Sequence, residues 1–177
     1  MSQAVFATAR NEAQANHMVA GLKAAGFSNT DISVLMPDPS GRRDVTLEQH
    51  TKAGEGTAAG AATGVVLGGA LGWLAGIGAL VIPGLGAFIA AGPIMAALSG
   101  AVVGASVGGV TGLLVGMGIP EDEAKRYEER VRAGDILVSV HTEDPAQRSL
   151  AQDVLARAGA ADVTASPQSS DADARFY

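Results

Sequence analysis

Side chains that bind metals or act in catalysis occur in this sequence, but their spacing assembles no site of either kind. His17, His50 and His141 fall in a predicted helix, a linker and a strand end, without the short spacing of metal ligands. Cysteine is absent, which excludes disulfides and thiolate chemistry. The acidic run at 121–123 suits the positive end of a helix dipole better than a cation site.

Glycines and small hydroxyl side chains do not indicate catalysis either. Neither G-x-G-x-x-G nor G-x-x-x-x-G-K-[ST] occurs, and no lysine lies in the glycine-rich stretch, so a phosphate loop is not expected. Ser99, Ser106 and Thr111 have no base beside them, which favours interhelical hydrogen bonding or mere smallness as their role. We therefore predict that the protein is not an enzyme and has no cofactor, no metal and no identifiable small-molecule substrate.

Glycine spacing is the strongest signal in the chain. The 12 basic and 18 acidic residues all lie outside the stretch from Gly56 to Pro120, which holds most of the 24 glycines. Eleven of these glycines recur at every fourth position in two rows, and they are the predicted helix-packing and oligomerisation residues: Gly56, Gly60, Gly64, Gly68, Gly72, Gly76, Gly100, Gly104, Gly108, Gly112 and Gly116.

A helix with a glycine at each fourth position needs compensation for its conformational cost. Each such glycine costs roughly 0.5 to 1 kcal/mol relative to alanine, and close approach of a second backbone along the glycine face can offset that cost. We predict two helices, at 57–82 and 93–117, which pack as a hairpin and against other copies of the chain. Pro-Gly and Gly-Pro pairs predict a turn region at the tip, with a short helix through residues 85–91.

Lipid or protein can surround the predicted hairpin. Both arms are long enough to span a bilayer. Basic residues flank the base of the hairpin and the tip at 81–92 has none, which predicts a bacterial inner-membrane protein with cytoplasmic termini. Trp73, in the middle of the first arm, is atypical of a spanning helix. The alternative is a cytoplasmic, water-soluble homo-oligomer, such as a filament or shell, with the hairpins as its core.

Two similar halves enclose the hairpin. In the first half, strands at 3–9 and 31–36 flank a helix that begins after Asn11 and ends at Gly26. The second half repeats this pattern with a helix that begins after Asp144 and strands on either side. A shift of 133 positions superimposes the halves, which indicates a duplicated βαβ unit.

The predicted fold is α+β, a ferredoxin-like split βαβ sandwich with two helices on one face, interrupted by the glycine-zipper helical hairpin. Its parts are the first βαβ half at 1–37, a polar linker at 38–55, the hairpin at 56–119, a connecting helix at 120–134, the second βαβ half at 135–166 and a C-terminal tail at 167–177. The tail is predicted to be disordered or, alternatively, to clip onto a neighbouring copy.

The opening residues resemble a known family. The segments Ala-Val-Phe at 4–6, Asn-Glu-Ala at 11–13, Leu-Lys-Ala-Ala-Gly-Phe at 22–27 and Asp-Ile-Ser-Val at 31–34 are similar to the N-terminal part of the bacterial heat-induced or general-stress protein family. The glycine rows resemble the glycine-zipper domains often found in such chains. The resemblance implies a stress-linked, non-catalytic bacterial protein and carries over no site residues.

Three functions are compatible with these patterns. We expect a non-enzymatic, self-associating, membrane-linked scaffold or stress-response protein whose partners are copies of itself and membrane lipid. The net charge of -6 opposes binding to phosphate backbones, so nucleic acid is not a predicted partner. The alternatives are the water-soluble homo-oligomeric assembly and a regulatory domain that senses a small ligand, since paired ferredoxin-like domains can hold ligands at their interfaces.

Overall fold

The computed structural model describes residues 3–38, 78–82, 85–92 and 109–166, and residues 78–82 are described by their backbone alone. One antiparallel sheet contains all of the strands in these residues. Its elements are, in chain order, β1 Gln3–Ala9, α1 Glu12–Ala24, β2 Ile32–Pro37, β3 Gly78–Ile82, β4 Gly86–Ala91, α2 Gly109–Gly116, α3 Glu121–Ala133, β5 Ile136–Thr142, α4 Pro145–Arg157 and β6 Ala161–Ala165. The strand order is β3-β4-β2-β5-β1-β6, and every neighbouring pair is antiparallel. The predicted α+β class is confirmed.

The predicted helix starts at Asn11 and Asp144 are confirmed and use the same pair of hydrogen bonds. Asn11 Oδ1 accepts from the backbone N–H of Gln14, and the Gln14 side chain accepts from the N–H of Arg10. In the second half, Asp144 and Gln147 make the two equivalent bonds. The bonds donated by the Gln14 and Gln147 amides satisfy donors that the first helical turn leaves without an intrahelical partner, and the other two satisfy the amides just before each cap residue.

The two halves meet at equivalent positions, as they would about an approximate twofold axis through the sheet. β1 and β5 pair with Phe6 opposite Ser139, and a shift of 133 positions makes these two residues equivalent. In the helix layer, a Cβ built on Gly21 lies 3.0 Å from Val154 Cγ1, and the same shift relates these positions. A residue that faces its own counterpart lies on such an axis, so both contacts support the predicted duplication.

The predicted helical structure at 78–82 and 85–91 is wrong, because these residues belong to the antiparallel strands β3 and β4. β4 also pairs with β2, so the predicted tip lies in the same sheet as both halves. Its predicted placement across a membrane from the termini is therefore wrong as well. Since both faces of the sheet are covered, β4 is apolar on both sides and lacks the alternation that distinguishes a strand from a helix.

Alternating sheet residues enter two apolar cores, one on each face. α1 and α4 cover the first face, where the buried strand residues include Val5, Val34 and Val138. α2 and α3 cover the second face, where the buried strand residues are Phe6, Leu35, Phe88, Ala90 and Leu137. The predicted sandwich had helices on one face; the second layer arises because the connecting helix and the end of the uncharged segment also pack against the sheet.

Candidate functional site

The second face of the sheet is where the uncharged segment meets the charged connecting helix. α2 is the last part of the uncharged segment, and it buries Val110, Leu113 and Leu114 in the core on this face. α3 carries the acidic first turn and basic last turn predicted from the sequence, and it ends at Gly134 as expected. A turn that contains Gly118, with φ +88°, joins the two helices into a helical pair.

Two of the eleven predicted packing glycines lie in the described part of the chain, both on α2. Gly112 is half-buried, whereas Gly116 is exposed, with no described heavy atom within 4 Å of a Cβ built there. The neighbouring Val115 is 43% exposed. α2 therefore has one apolar face in the core and a second apolar face, with Gly116, that no described helix covers. The remaining predicted glycines lie outside the described residues: Gly56, Gly60, Gly64, Gly68, Gly72, Gly76, Gly100, Gly104 and Gly108.

Glu128 joins α3 to the first turn of α2. One of its oxygens accepts from the backbone N–H of Thr111 at 2.9 Å and from the Thr111 hydroxyl at 2.5 Å, and the other accepts from Arg132 Nη2 at 3.2 Å. Of the two roles predicted for Thr111, interhelical hydrogen bonding or mere smallness, the structure shows the first, with α3 as the partner helix. The Thr111 amide is a first-turn donor without an intrahelical partner, and a carboxylate is favourable at the positive end of a helix dipole.

The pKa of Glu128 reflects this bridge. Burial alone raises the pKa of a carboxyl group, but the hydrogen bonds from Thr111 and the charge of Arg132 lower the pKa of Glu128 below its usual value overall. The carboxylate is therefore the stable form while α2 is docked. In this charged form, Glu128 accepts the hydrogen bonds that join α3 to α2.

Tyr127 and Arg130 attach α3 to the edge strand β6. The Tyr127 hydroxyl donates to the carbonyl of Asp162 and lies 3.3 Å from the carbonyl of Phe6, while Arg130 Nε pairs with the Asp162 carboxylate. Asp162 has a φ of +50°, and the β1–β6 register shifts between Phe6 and Thr8. A bulged edge strand is a poor template for pairing with another chain, so α3 stabilises the irregularity that protects this edge.

Tyr127 is expected to make stability fall at high pH. Burial, with smaller contributions from the nearby Asp162 and Glu123 carboxylates, raises the pKa of Tyr127 from 10.0 to about 12. Between these values the unfolded chain loses a proton that the folded protein retains, so the free energy of unfolding falls as pH rises, by up to about 3 kcal/mol. Urea unfolding between about pH 9 and pH 12 measures this loss. Tyr127→Phe should lack it; equal pH dependence in both proteins would contradict the assignment.

Sequence reasoning missed the roles of Glu128 and Tyr127. A weak signal was available, because Ala124, Tyr127 and Val131 form the buried stripe of α3 and Glu128 lies at its border, four residues after Ala124. The stripe identifies the buried side of α3, but it does not show which helix packs beside α3. The pairing of α3 with α2 depends on the tertiary structure and has no signal in the sequence of α3.

The histidines lie on different elements of the described part of the chain or outside it. His17 lies on α1 and His141 on β5, and His50 lies outside the described part. Within that part, no group of three or more His, Asp or Glu side chains is placed to hold a metal ion, and no helix combines the length and apolar character needed to cross a bilayer. Compared with protein-family models, with curated proteins and with solved structures, the chain shows a significant match to none of them.

Proposed function

We propose that this protein is a non-enzymatic scaffold that associates with copies of itself through its glycine rows. The α+β domain anchors the rows: β3 begins two residues after Gly76, the last glycine of the first row, and α2 carries the last two glycines of the second row. In this proposal the four strands of the two halves are the core of a ferredoxin-like sandwich. The rows pack against their counterparts in a second copy.

The exposed face of α2 carries this proposal. α2 is a described part of a glycine row, and its burial in the core leaves Val115 and Gly116 exposed. An apolar helix face that lacks a Cβ at one position lets a second backbone approach closely and gain dispersion contacts. A helix with apolar residues on both sides is typical of one that is buried when fully assembled.

Particle mass measured without detergent tests the proposal. Gly68→Leu and Gly108→Leu, one in each row, should reduce the mass of the assembled particle, because a leucine side chain keeps two helix backbones apart. Gly41→Leu in the polar linker is the control and should assemble as the unmodified chain does. Equal particle masses for all of these proteins would remove the packing role of the rows.

Gly116→Leu is a sharper variant. Since open space surrounds a Cβ built on Gly116, a leucine there causes no clash within the described domain, and its helix propensity is better by up to about 1 kcal/mol. The domain should therefore unfold at an unchanged or higher urea concentration while assembly is lost. Retained assembly with retained stability would show that this face of α2 has no partner.

Lipid association is a second candidate, favoured by the uncharged run of residues between Gly56 and β3. On this proposal the protein lies at a bacterial inner membrane; on the first, it is cytoplasmic. Partition into the membrane fraction after alkaline carbonate washing would support lipid association, and full recovery in the wash would exclude it. A stress-linked setting for either role depends on the resemblance of the opening residues.

A further inference from the structure

The arrangement of α2 and α3 allows α2 to be held at one end and released as a unit. Gly118 and Pro120 connect the helices at one end, and Ile119 between them is buried. Glu128 and Thr111 join the helices at the opposite end, each about two helical turns from the connection. A carboxylate at this position therefore closes the open end of a helical pair.

We propose that Glu128 is a latch that keeps α2 docked on the sheet, and that the docked position presents the exposed Gly116 face of α2 to a second copy of the chain. The second half of this statement rests on the proposed function; the first half does not. While it is docked, α2 also covers part of the second core, whose buried strand residues include Phe6, Leu35 and Leu137.

The composition of α2 explains why one carboxylate has this control. α2 contains no titratable residue, and apart from Thr111 it is built of glycine, valine and leucine. Its apolar side chains can be buried equally well against this sheet or against another copy, since burial of apolar surface is non-directional. The hydrogen bonds to Glu128 are directional and charge-assisted, so they favour the docked position specifically.

Hydrogen exchange of the full-length chain tests the latch directly. In Glu128→Ala, the amides of residues 110–119 should exchange about tenfold faster or more, because two hydrogen bonds to a charged group are lost. Glu129→Ala is the matched control: this exposed neighbour has no hydrogen bond to α2 in the structure, and exchange should change by less than about twofold. Equal exchange in the two variants would overturn the proposal.

Thr111→Val and the pH dependence separate the latch from a general loss of stability. The valine removes the hydroxyl bond and keeps the backbone bond, so its effect should be smaller than that of Glu128→Ala. Among the described residues, the charged groups that line the same cleft as Glu128 are Lys125, Glu129 and Arg132, all on α3, and Arg132 donates a hydrogen bond to Glu128. Because docking lowers the pKa of Glu128, the latch is at full strength above the usual glutamate pKa and weakens as pH falls through the docked value.

The expected pH result is faster exchange of α2 relative to α4 below about pH 4.5 in the unmodified chain, and no such change in Glu128→Gln. The same pH response in both proteins would overturn the latch. Particle mass distinguishes the two proposals. If α2 exchanges faster in Glu128→Ala while Gly116→Leu keeps the full particle mass, the latch is supported and the assembly is not. If Gly116→Leu loses particle mass while Glu128→Ala and Glu129→Ala show equal exchange, the assembly is supported and the latch is not.

Discussion

Gly92→Ala is expected to destabilise the domain by about 3 to 5 kcal/mol, one of the two largest effects predicted for a single substitution in this chain. Gly92 ends β4 with a φ of +80°, and a Cβ built there lies 2.3 Å from the carbonyl oxygen of Ile32 and 2.9 Å from Ser33 Cα. Those atoms belong to the backbone of β2, in the middle of the sheet, so they cannot move aside without loss of strand pairing. Urea unfolding followed by far-UV circular dichroism measures the change.

Gly26→Ala is the matched control for this prediction. Gly26 also has a positive φ, of +99°, but nothing lies within 4 Å of a Cβ built there. Its cost should be the backbone strain alone, about 1 to 2 kcal/mol. The difference between the two variants in the free energy of unfolding measures the cost of the contact between the added Cβ at position 92 and the backbone of β2. Equal destabilisation would mean that Gly92 does not approach the backbone of β2 as closely as the structure has it.

Local signals in the sequence predicted the two halves well because each signal has its partner nearby. The caps at Asn11 and Asp144 involve residues three positions apart, and the glycines that end α1 and α4 act on their own helices. The predicted duplication is a longer-range signal, and it agrees with the pairing of equivalent positions across β1 and β5. The β1–β5 register places Phe6 opposite Ser139.

The uncharged segment was predicted less well because its composition is compatible with several structures. β4 is apolar on both faces, and the two nearby glycines with positive φ, Gly86 and Gly92, mark strand ends rather than a helix turn. Helix and buried strand are indistinguishable by periodicity in such a run. For α2 the predicted helix is confirmed, but its docked position includes hydrogen bonds to Glu128, a residue outside the segment. Partners distant in sequence carry no local signal.

Phe6→Ala is the second large effect expected, with a loss of about 3 to 5 kcal/mol in the free energy of unfolding. Phe6 is fully buried in the second core, beneath the helical layer of α2 and α3. Its cross-strand partner at the twofold axis is Ser139, a small residue that cannot fill the space a phenyl ring leaves. Since poor collapse of a cavity increases its cost, the loss should fall in the upper part of this range.

The comparison of Phe6→Ala with Leu150→Ala decides whether the second helical layer is part of the folding unit. Leu150 is 43% exposed on α4, so its truncation should change stability by less than about 0.5 kcal/mol. If α2 and α3 unfold together with the sheet, Phe6→Ala shifts the urea midpoint measured by circular dichroism and that measured by exchange at 110–119 equally. A shift in the exchange midpoint alone would mean that α2 and α3 leave a sheet that remains folded, with the second core open before global unfolding.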